Sequence, residues 1–236
     1  MLTIYEPAGK AKEYSELALN LYRGCDHGCT YCYAPSILHM PRKDFIIPTP
    51  RLGIIDALRK DAPKFSGRQV LLCFTCDPYQ KLDVEYKLTR QAIEVLHENN
   101  ISVRILTKGG LRAERDFDLL GPEDAFGVTL TSYGDMVDKF EPDAAPVHER
   151  IESLEEAYDK GIPTWVSLEP VVAPLQAINL IIATHLFVDE YKIGKWNYDS
   201  RAKEIDWGAF VNEAVSLLEW YGNKYYIKED LKEYLK

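Results

Sequence analysis

Short apolar runs alternate with segments of helical periodicity along most of this chain, and that alternation limits the folds open to it. We predict strands at residues 15–21, 70–75, 101–107, 126–131, 164–168 and 186–193, and helices at 51–61, 87–99, 112–120, 148–160, 175–183 and 207–221. Repeated strand–helix units build a parallel sheet covered by helices. The pattern therefore predicts an α/β fold of six such units, with a short strand and a closing helix in the tail.

Three cysteines stand close together after the first predicted strand. Cys25, Cys29 and Cys32 have the spacing Cys-x3-Cys-x2-Cys, which can wrap three thiolates around a cubic iron–sulfur cluster and leave one iron without a protein ligand. A zinc site of the Cys3His type that recruits His27 is an alternative, although zinc ligands usually come as two separated pairs. The odd count of five cysteines and a start without the pattern of a secretion signal disfavour a disulfide framework.

The cysteine block belongs to a set of segments that resembles a known family. Residues 20–34, 75–80, 106–108, 116–120 and 141–150 keep the order expected of the radical S-adenosylmethionine (SAM) superfamily, and within it of the spore photoproduct lyase-like group. The resemblance implies a partial (β/α)6 TIM-type barrel. It also implies that the three cysteines hold a 4Fe-4S cluster whose open iron chelates SAM. An electron from the cluster would cleave SAM and give a 5′-deoxyadenosyl radical that abstracts hydrogen from a substrate.

Polar residues at the strand ends are the next candidates, because parallel barrels carry their chemistry at the carboxyl ends of their strands. The resemblance places Thr75 and Asp77 near the amino group of SAM, and Lys108 near its carboxylate. Asp77 could instead cap the turn that Pro78 forces, and Lys108 could extend to solvent.

Two threonines and two tyrosines complete the predicted cofactor pocket. Thr129 and Thr131 share one face of their predicted strand, where the hydroxyls could meet the ribose or methionine portion of SAM, although threonine also simply favours strands. Tyr31 and Tyr33 match aromatic positions of the lyase-like motif, which implies packing beside cofactor and substrate. Core packing alone would explain one of these two rings.

Cys73 and Cys76 form a second cysteine pair. Residues three apart on a strand point to opposite faces, so we expect Cys76 to face the pocket and Cys73 to pack outward. A thiol in the pocket could donate a hydrogen atom to a substrate radical, which makes Cys76 a catalytic candidate together with Tyr31 and Tyr33. True spore photoproduct lyase has its hydrogen-donating cysteine two residues before the position matched by Cys76. Here Phe74 stands at that position, which argues against repair of thymine photoproducts.

The later strand ends and the overall composition bear on substrate and partners. Polar groups that could line a substrate mouth follow the fifth and sixth predicted strands: Glu169, Lys192, Gly194, Lys195 and Asn197. A net charge of −9 opposes non-specific binding to nucleic acid without excluding a local groove. No apolar run is long enough to cross a bilayer, so we expect no membrane association and a cytoplasmic location.

These features together predict a radical SAM enzyme in a single domain over residues 1–236, with a core at about 15–195 and a helical extension at about 200–236. We expect an electron donor such as flavodoxin or ferredoxin as partner, and a nucleic-acid base or nucleotide as substrate. A peptide or small metabolite is the alternative substrate. A metal-binding scaffold without catalysis is the alternative function.

Overall fold

The computed structural model describes residues 3–236 and contains nine strands. These are β1 (Ala18–Leu19), β2 (Tyr22–Arg23), β3 (Thr49–Pro50), β4 (Gln69–Leu72), β5 (Ser102–Thr107), β6 (Ala125–Thr129), β7 (Thr164–Leu168), β8 (Glu190–Ile193) and β9 (Lys224–Ile227). Seven of them form one sheet in the order β1-β4-β5-β6-β7-β8-β9, and every neighbouring pair in it is parallel. The predicted parallel α/β architecture is confirmed.

Helices connect and cover these strands. The α-helices are α1 (Ala34–Ile37), α2 (Arg42–Phe45), α3 (Ile54–Asp61), α4 (Asp83–Tyr86), α5 (Leu88–Glu98), α6 (Asp135–Phe140), α7 (Val147–Asp159), α8 (Pro174–Thr184), α9 (Trp207–Tyr221) and α10 (Glu229–Lys232). Four 3-10 helices span Gly9–Glu13, Ala62–Phe65, Gly110–Asp116 and Ser200–Glu204. The short helix predicted at 112–120 is one of these 3-10 segments.

The short strand and the closing helix predicted in the tail are β9 and α10, but the sequence did not indicate that this strand joins the sheet. β9 pairs in parallel with β8 in the register Tyr191↔Tyr225, so the sheet has seven strands where the sequence pattern predicted six. A four-residue strand flanked by a helix carries too weak a periodicity to reveal its pairing partner. The predicted single-domain organisation stays a prediction.

Large side chains fill the space beside the sheet toward the amino-terminal ends of its strands. Trp165 on β7 lies in register with Gly127 on β6, and a Cβ on this glycine would lie 2.3 Å from the indole nitrogen. The guanidinium of Arg104 stacks 4.1 Å from the Trp165 ring and pairs with Glu190 at 2.6 Å. Because these large side chains fill the space near the amino-terminal ends of the strands, open space is left near the carboxyl ends.

No helix among residues 3–236 combines the length and apolar character needed to cross a membrane.

Candidate active site

A cavity of about 430 Å3 opens at the carboxyl ends of the parallel strands. The three motif cysteines, Cys25, Cys29 and Cys32, line one side of it. Residues at the ends of β4 to β7 line the middle, and the amino-terminal residues 8–11 with Lys228 line the other side. The predicted metal ligands and the strand ends therefore face one common space.

Glycine and a neighbouring segment shape the cysteine loop, which runs from β2 to α1. Gly24 has a φ of +90°, and a Cβ there would lie 2.5 Å from the carbonyl oxygen of Phe45. This close approach lets the Cys25 backbone N–H donate to the same carbonyl at 2.9 Å. A side chain at this position would push the loop away from its support.

Arg42 holds the other end of the cysteine loop. Its guanidinium donates to the carbonyl oxygens of Cys29 at 2.7 Å and Cys32 at 2.9 Å. A single planar cation thus fixes the backbone at two of the three motif cysteines, since its fork of donors suits two acceptors at once.

Asp77 joins the end of β4 to the end of β5. Its Oδ1 accepts hydrogen bonds from the Thr107 hydroxyl at 2.6 Å and the Tyr79 backbone N–H at 2.8 Å. Its Oδ2 accepts one from the Lys108 backbone N–H at 2.7 Å and lies 3.5 Å from Nδ1 of His27. The turn-capping role weighed from the sequence is therefore present. Asp77 also lines the cavity. Its contact with the SAM amino group stays a prediction.

Asn20 is a residue to which the sequence assigned no role. Its side-chain oxygen accepts hydrogen bonds from the backbone N–H groups of Phe74 at 2.8 Å and Thr75 at 2.9 Å, and its amide nitrogen donates to Tyr5. Strand β4 ends at Leu72, and the Asn20 side chain pairs with the backbone N–H groups that follow it. This hydrogen bonding holds the backbone of Thr75 at the cavity wall. Its place at the start of the recognised cysteine block was the one available signal.

Lys108 lies just beyond β5 and lines the cavity. Its ammonium stands 5.6 Å from the centre of the Tyr31 ring, and among residues 3–236 no carboxylate comes within 4.0 Å of it. Burial alone would lower the pKa of Lys108, but the nearby Cys29 and Glu141 outweigh burial and raise it above its ordinary value. The side chain is thus a half-buried cation available to an anionic group, and its contact with the SAM carboxylate stays a prediction.

The two candidate threonines separate in the structure. Thr129 is the last residue of β6 and lines the cavity. Thr131 lies two residues beyond the strand, is fully buried, and donates its hydroxyl to Glu141 at 2.9 Å. The two-residue periodicity that paired Thr131 with Thr129 stops where the strand ends, so the two hydroxyls face different surroundings. Contact of Thr131 with SAM stays a prediction.

Tyr31 is anchored by a buried ion pair that the sequence did not reveal. Its hydroxyl donates to the carboxylate of Glu141, which also faces the guanidinium of Arg150 at 2.5 Å. Burial alone would raise the pKa of Glu141, but Arg150 and Lys108 outweigh it and hold the pKa below its ordinary value. One face of the Tyr31 ring lines the cavity, whereas Tyr33 lines it with 41% of its surface exposed. Catalytic roles for the two rings stay predictions.

Cys73 and Cys76 both line the cavity and both are buried. The expectation that Cys73 packs outward is wrong, because β4 ends at Leu72 and the alternation of faces ends with it. Phe74 packs edge-on against Tyr14, with ring centres 5.9 Å apart. Two thiols outside the motif therefore share the space with the three inside it. Hydrogen-atom donation by Cys76 stays a prediction.

Ionic groups form the wall opposite the cysteines. Lys228 is buried and donates to both carboxylate oxygens of Glu169, at 2.8 and 3.0 Å, and the hydroxyl of Tyr14 donates to the same carboxylate. Lys195 lines the cavity and donates to the hydroxyl of Tyr234 at 2.8 Å. Of the predicted mouth residues, Glu169, Lys195 and Asn197 line the cavity.

Lys192 and Gly194 differ from the prediction that they line a mouth. The Lys192 ammonium is turned beneath the amino-terminal segment, where it donates to the carbonyl oxygens of Glu13 and Tyr14. Gly194 instead gives room to Glu169, since a Cβ there would lie 2.5 Å from the carboxyl carbon of that side chain.

A family comparison decides what this site belongs to. A sequence model described as the radical SAM superfamily matches residues 19–178. The chain belongs to the radical SAM superfamily. The superfamily binds SAM and an iron–sulfur cluster, as the cysteine block predicted.

Solved structures of other proteins share the fold. A spore photoproduct lyase variant with bound AdoMet and dinucleoside spore photoproduct superposes with a TM-score of 0.73 at 15% identity, over 93% of this chain and 78% of that one. Streptococcus suis SuiB bound to S-adenosylmethionine gives a TM-score of 0.60 at 13% identity, over 89% of this chain and 50% of that one. The predicted likeness of fold to spore photoproduct lyase is confirmed.

Curated relatives are themselves uncharacterized proteins. One from Acidianus two-tailed virus is 29% identical over 189 residues, which cover 73% of this chain and 62% of that protein. One from Methanocaldococcus jannaschii is 24% identical over 176 residues, which cover 71% of this chain and 65% of that protein. The chain thus matches less than two thirds of the length of either relative.

The donor set at the cysteine loop fits the iron–sulfur cluster of the superfamily. Three thiols without another protein ligand between them suit a cluster with one open iron. Burial raises the pKa of Cys29 to about 12 and raises the pKa of Cys25 and Cys32 as well, so metal binding must displace thiol protons. Within the described part of the chain no three His, Cys, Asp or Glu side chains are placed to hold a single metal ion. The ring of His27, the histidine of the zinc alternative, lies against Asp77.

Proposed function

We propose that the protein is a radical SAM enzyme that cleaves SAM reductively at a 4Fe-4S cluster and abstracts hydrogen from a substrate. When bound, the reduced cluster and SAM supply the electron transfer and the 5′-deoxyadenosyl radical that this reaction needs. The observation that carries the proposal is the common cavity of the three motif cysteines, Lys108 and Thr129. Three cysteine thiols, a cation and a hydroxyl line one volume, which supports the binding of a cluster and SAM there.

The chain's own residues would bind and orient the cofactors. Cys25, Cys29 and Cys32 would hold three irons through their thiolates. Lys108 would offer its ammonium to the SAM carboxylate, and the Thr129 hydroxyl would offer a donor or acceptor to the ribose. The cation at Lys108 carries its charge before SAM arrives, so its attraction needs no proton transfer on binding.

The far wall would keep water from the reacting groups. The Glu169 carboxylate accepts hydrogen bonds from Lys228 and Tyr14, so these polar groups on the wall are paired with one another. A dry cavity strengthens charge interactions and shields a reactive radical.

A nucleobase or nucleotide is the substrate class that we propose. Tyr198, which is exposed, and Trp196, which is buried, line the cavity together with Lys195. Rings can stack on a base and a cation can face a phosphate. The spore photoproduct lyase that shares the fold was solved with a dinucleoside, which supports this class, whereas the net charge of −9 favours a single nucleotide over long nucleic acid.

The test is anaerobic reconstitution with iron and sulfide, followed by addition of SAM and dithionite. We expect a brown protein that forms 5′-deoxyadenosine, and a Cys29→Ala variant that forms neither the intact cluster nor 5′-deoxyadenosine. Cys73→Ala is the matched control, since it removes a cavity thiol outside the motif and should keep the cluster. A wild-type protein that binds iron and SAM but forms no 5′-deoxyadenosine would contradict the proposal and favour the metal-binding scaffold without catalysis.

Substrate class is tested by hydrogen transfer. Nucleotides, peptides and small metabolites deuterated at their abstractable positions would be supplied in turn, and deuterium in 5′-deoxyadenosine measured by mass spectrometry. We expect label from nucleotides. Label from a peptide, as the alternative predicts, would overturn the nucleotide assignment while leaving SAM cleavage intact.

A further inference from the structure

The lining of the cavity carries more positive than negative charge. Within residues 3–236 its lysines and carboxylates are Lys10, Lys108, Lys195, Lys228, Asp77 and Glu169. The chain as a whole has a net charge of −9, so the cavity is cationic in an acidic protein. A concave site lined by an excess of one sign of charge attracts ligands of the opposite sign.

Lys195 is the cation of this lining that the proposed function has not used. Lys10 forms an ion pair with Asp230 at 2.6 Å, and Lys228 forms one with Glu169 at 2.8 Å. Lys108 is assigned to the SAM carboxylate. Lys195 forms no ion pair with a carboxylate among the residues that the structure describes. Its charge is therefore free to meet an anionic group of a ligand.

Aromatic residues of the carboxyl-terminal region hold the Lys195 ammonium in place. Its Nζ donates to the hydroxyl of Tyr234 at 2.8 Å and lies 4.6 Å from the centre of that ring. The ring of Trp207, the first residue of α9, has its centre 5.5 Å from the same nitrogen. Rings and a hydroxyl fix the position of a cation without neutralising it, and an ammonium has three donors to share.

Tyr198 offers a flat surface at the same cavity. Its ring lines the cavity and is 93% exposed, so the chain leaves most of it uncovered. Its backbone has a φ of +64°, a left-handed conformation that is uncommon for residues other than glycine. Backbone strain of this kind clusters at ligand sites. An exposed tyrosine ring can stack on a nucleobase, since every base has a flat face.

We infer that Lys195 binds a phosphate group of the nucleotide substrate, that Tyr198 stacks on its base, and that Tyr234 positions the Lys195 ammonium. The inference rests on the proposed function and deepens it, because it names the side chain that selects nucleotides over nucleosides. These anchors belong to the wall opposite the cysteines, which leaves the cysteine side of the cavity to the cluster and SAM.

The test compares nucleotides with nucleosides as ligands of the reconstituted, SAM-loaded protein. The probes are the 2′-deoxynucleoside 5′-monophosphates and the matching nucleosides, and anaerobic equilibrium dialysis without a reductant measures their affinities. Lys195→Met removes the ammonium and keeps the apolar stem, whereas Lys195→Arg keeps a cation. Lys203→Met is the matched control, since Lys203 is exposed and lies outside the cavity lining.

We expect at least one nucleotide to bind the wild-type protein ~10-fold or more tightly than its nucleoside, and Lys195→Met to lose this preference. Lys195→Arg and Lys203→Met should keep it. Tyr234→Phe should lower the preference in part, because the hydroxyl is lost and the ring remains. The preference should also shrink as salt rises, which a merely structural role for Lys195 does not predict.

The nucleoside is the internal control, because its binding needs no cation and reports that a variant is folded. Tyr198→Ala should weaken nucleotide and nucleoside by the same factor and leave the preference unchanged. An unchanged affinity in Tyr198→Ala would overturn the role assigned to the ring.

A preference that survives in Lys195→Met would overturn the inference. So would a wild-type protein that binds no nucleotide better than its nucleoside. Dialysis measures binding without SAM cleavage, so a protein that forms no 5′-deoxyadenosine would count against the proposed function alone.

Discussion

The Arg150 guanidinium lies 2.5 Å from the Glu141 carboxylate, and both side chains are fully shielded from solvent. Because the Tyr31 hydroxyl donates to the same carboxylate, the pair ties the cysteine loop to helix α7. We expect Arg150→Met to destabilise the protein by about 3–5 kcal/mol, since it leaves a buried carboxylate without its counter-charge. Urea unfolding monitored by circular dichroism measures this loss.

Lys160→Met is the control for that prediction. It removes a cation from the exposed pair with Glu156, at 3.0 Å, and should cost less than about 1 kcal/mol. Equal losses for Arg150→Met and Lys160→Met would contradict the structural role assigned to the buried pair.

Thr129 and Thr131 should differ in their effect on SAM. We expect Thr129→Val to weaken SAM binding several-fold, because of these two threonines only Thr129 lines the cavity. Thr131→Val should leave SAM affinity unchanged but lower stability by about 1 kcal/mol, the typical worth of a buried hydrogen bond. Equilibrium binding of SAM to the reconstituted variants, with thermal unfolding in parallel, separates the two effects; a larger affinity loss for Thr131→Val would reverse our assignment.

Gly127 should not tolerate a methyl group. Gly127→Ala places a Cβ against the rigid indole of Trp165, and we expect a loss of about 1–3 kcal/mol or more from overpacking. Gly121→Ala is the matched control, since nothing lies within 4 Å of a Cβ there and the change should be near neutral. Denaturant midpoints of both variants measure the difference, and a neutral Gly127→Ala would show that the interior can shift to make room.

Asp124 should make stability depend on pH in the acid range. Burial alone would raise the pKa of Asp124, but hydrogen bonds from His97 and from the backbone N–H groups of Val103 and Gly121 outweigh it and hold the pKa below its ordinary value. A carboxyl group with a lowered folded-state pKa stabilises the fold above its unfolded value of about 3.9 and loses that contribution as pH falls through the folded value.

Wild-type protein should therefore lose more unfolding free energy between pH 6 and pH 3 than Asp124→Asn does. The exposed Glu85, changed to Gln, is the control and should follow wild type. Urea unfolding at the two pH values checks this. A wild-type slope shared by Asp124→Asn would mean that Asp124 contributes nothing to the acid sensitivity.

Local patterns carried much of this protein's structure and part of its site. Apolar periodicity was enough to place β5, β7 and helices α5, α7 and α9, because a strand or helix imposes its repeat on the residues within it. The Cys25, Cys29 and Cys32 spacing was enough to indicate the superfamily, because these three cysteines stand close together along the chain and their pattern is therefore local.

Tertiary structure decided what happens where those repeats stop. Cys73 and Thr131 lie just past the ends of β4 and β6, so their directions depend on the loop path and not on strand alternation. Only folding brought Glu141 to Arg150, and only folding added β9 to the sheet. The residues in such contacts follow no repeat along the sequence, so local patterns cannot reveal them. The contacts form, and stabilise the protein, only when the surrounding elements pack together.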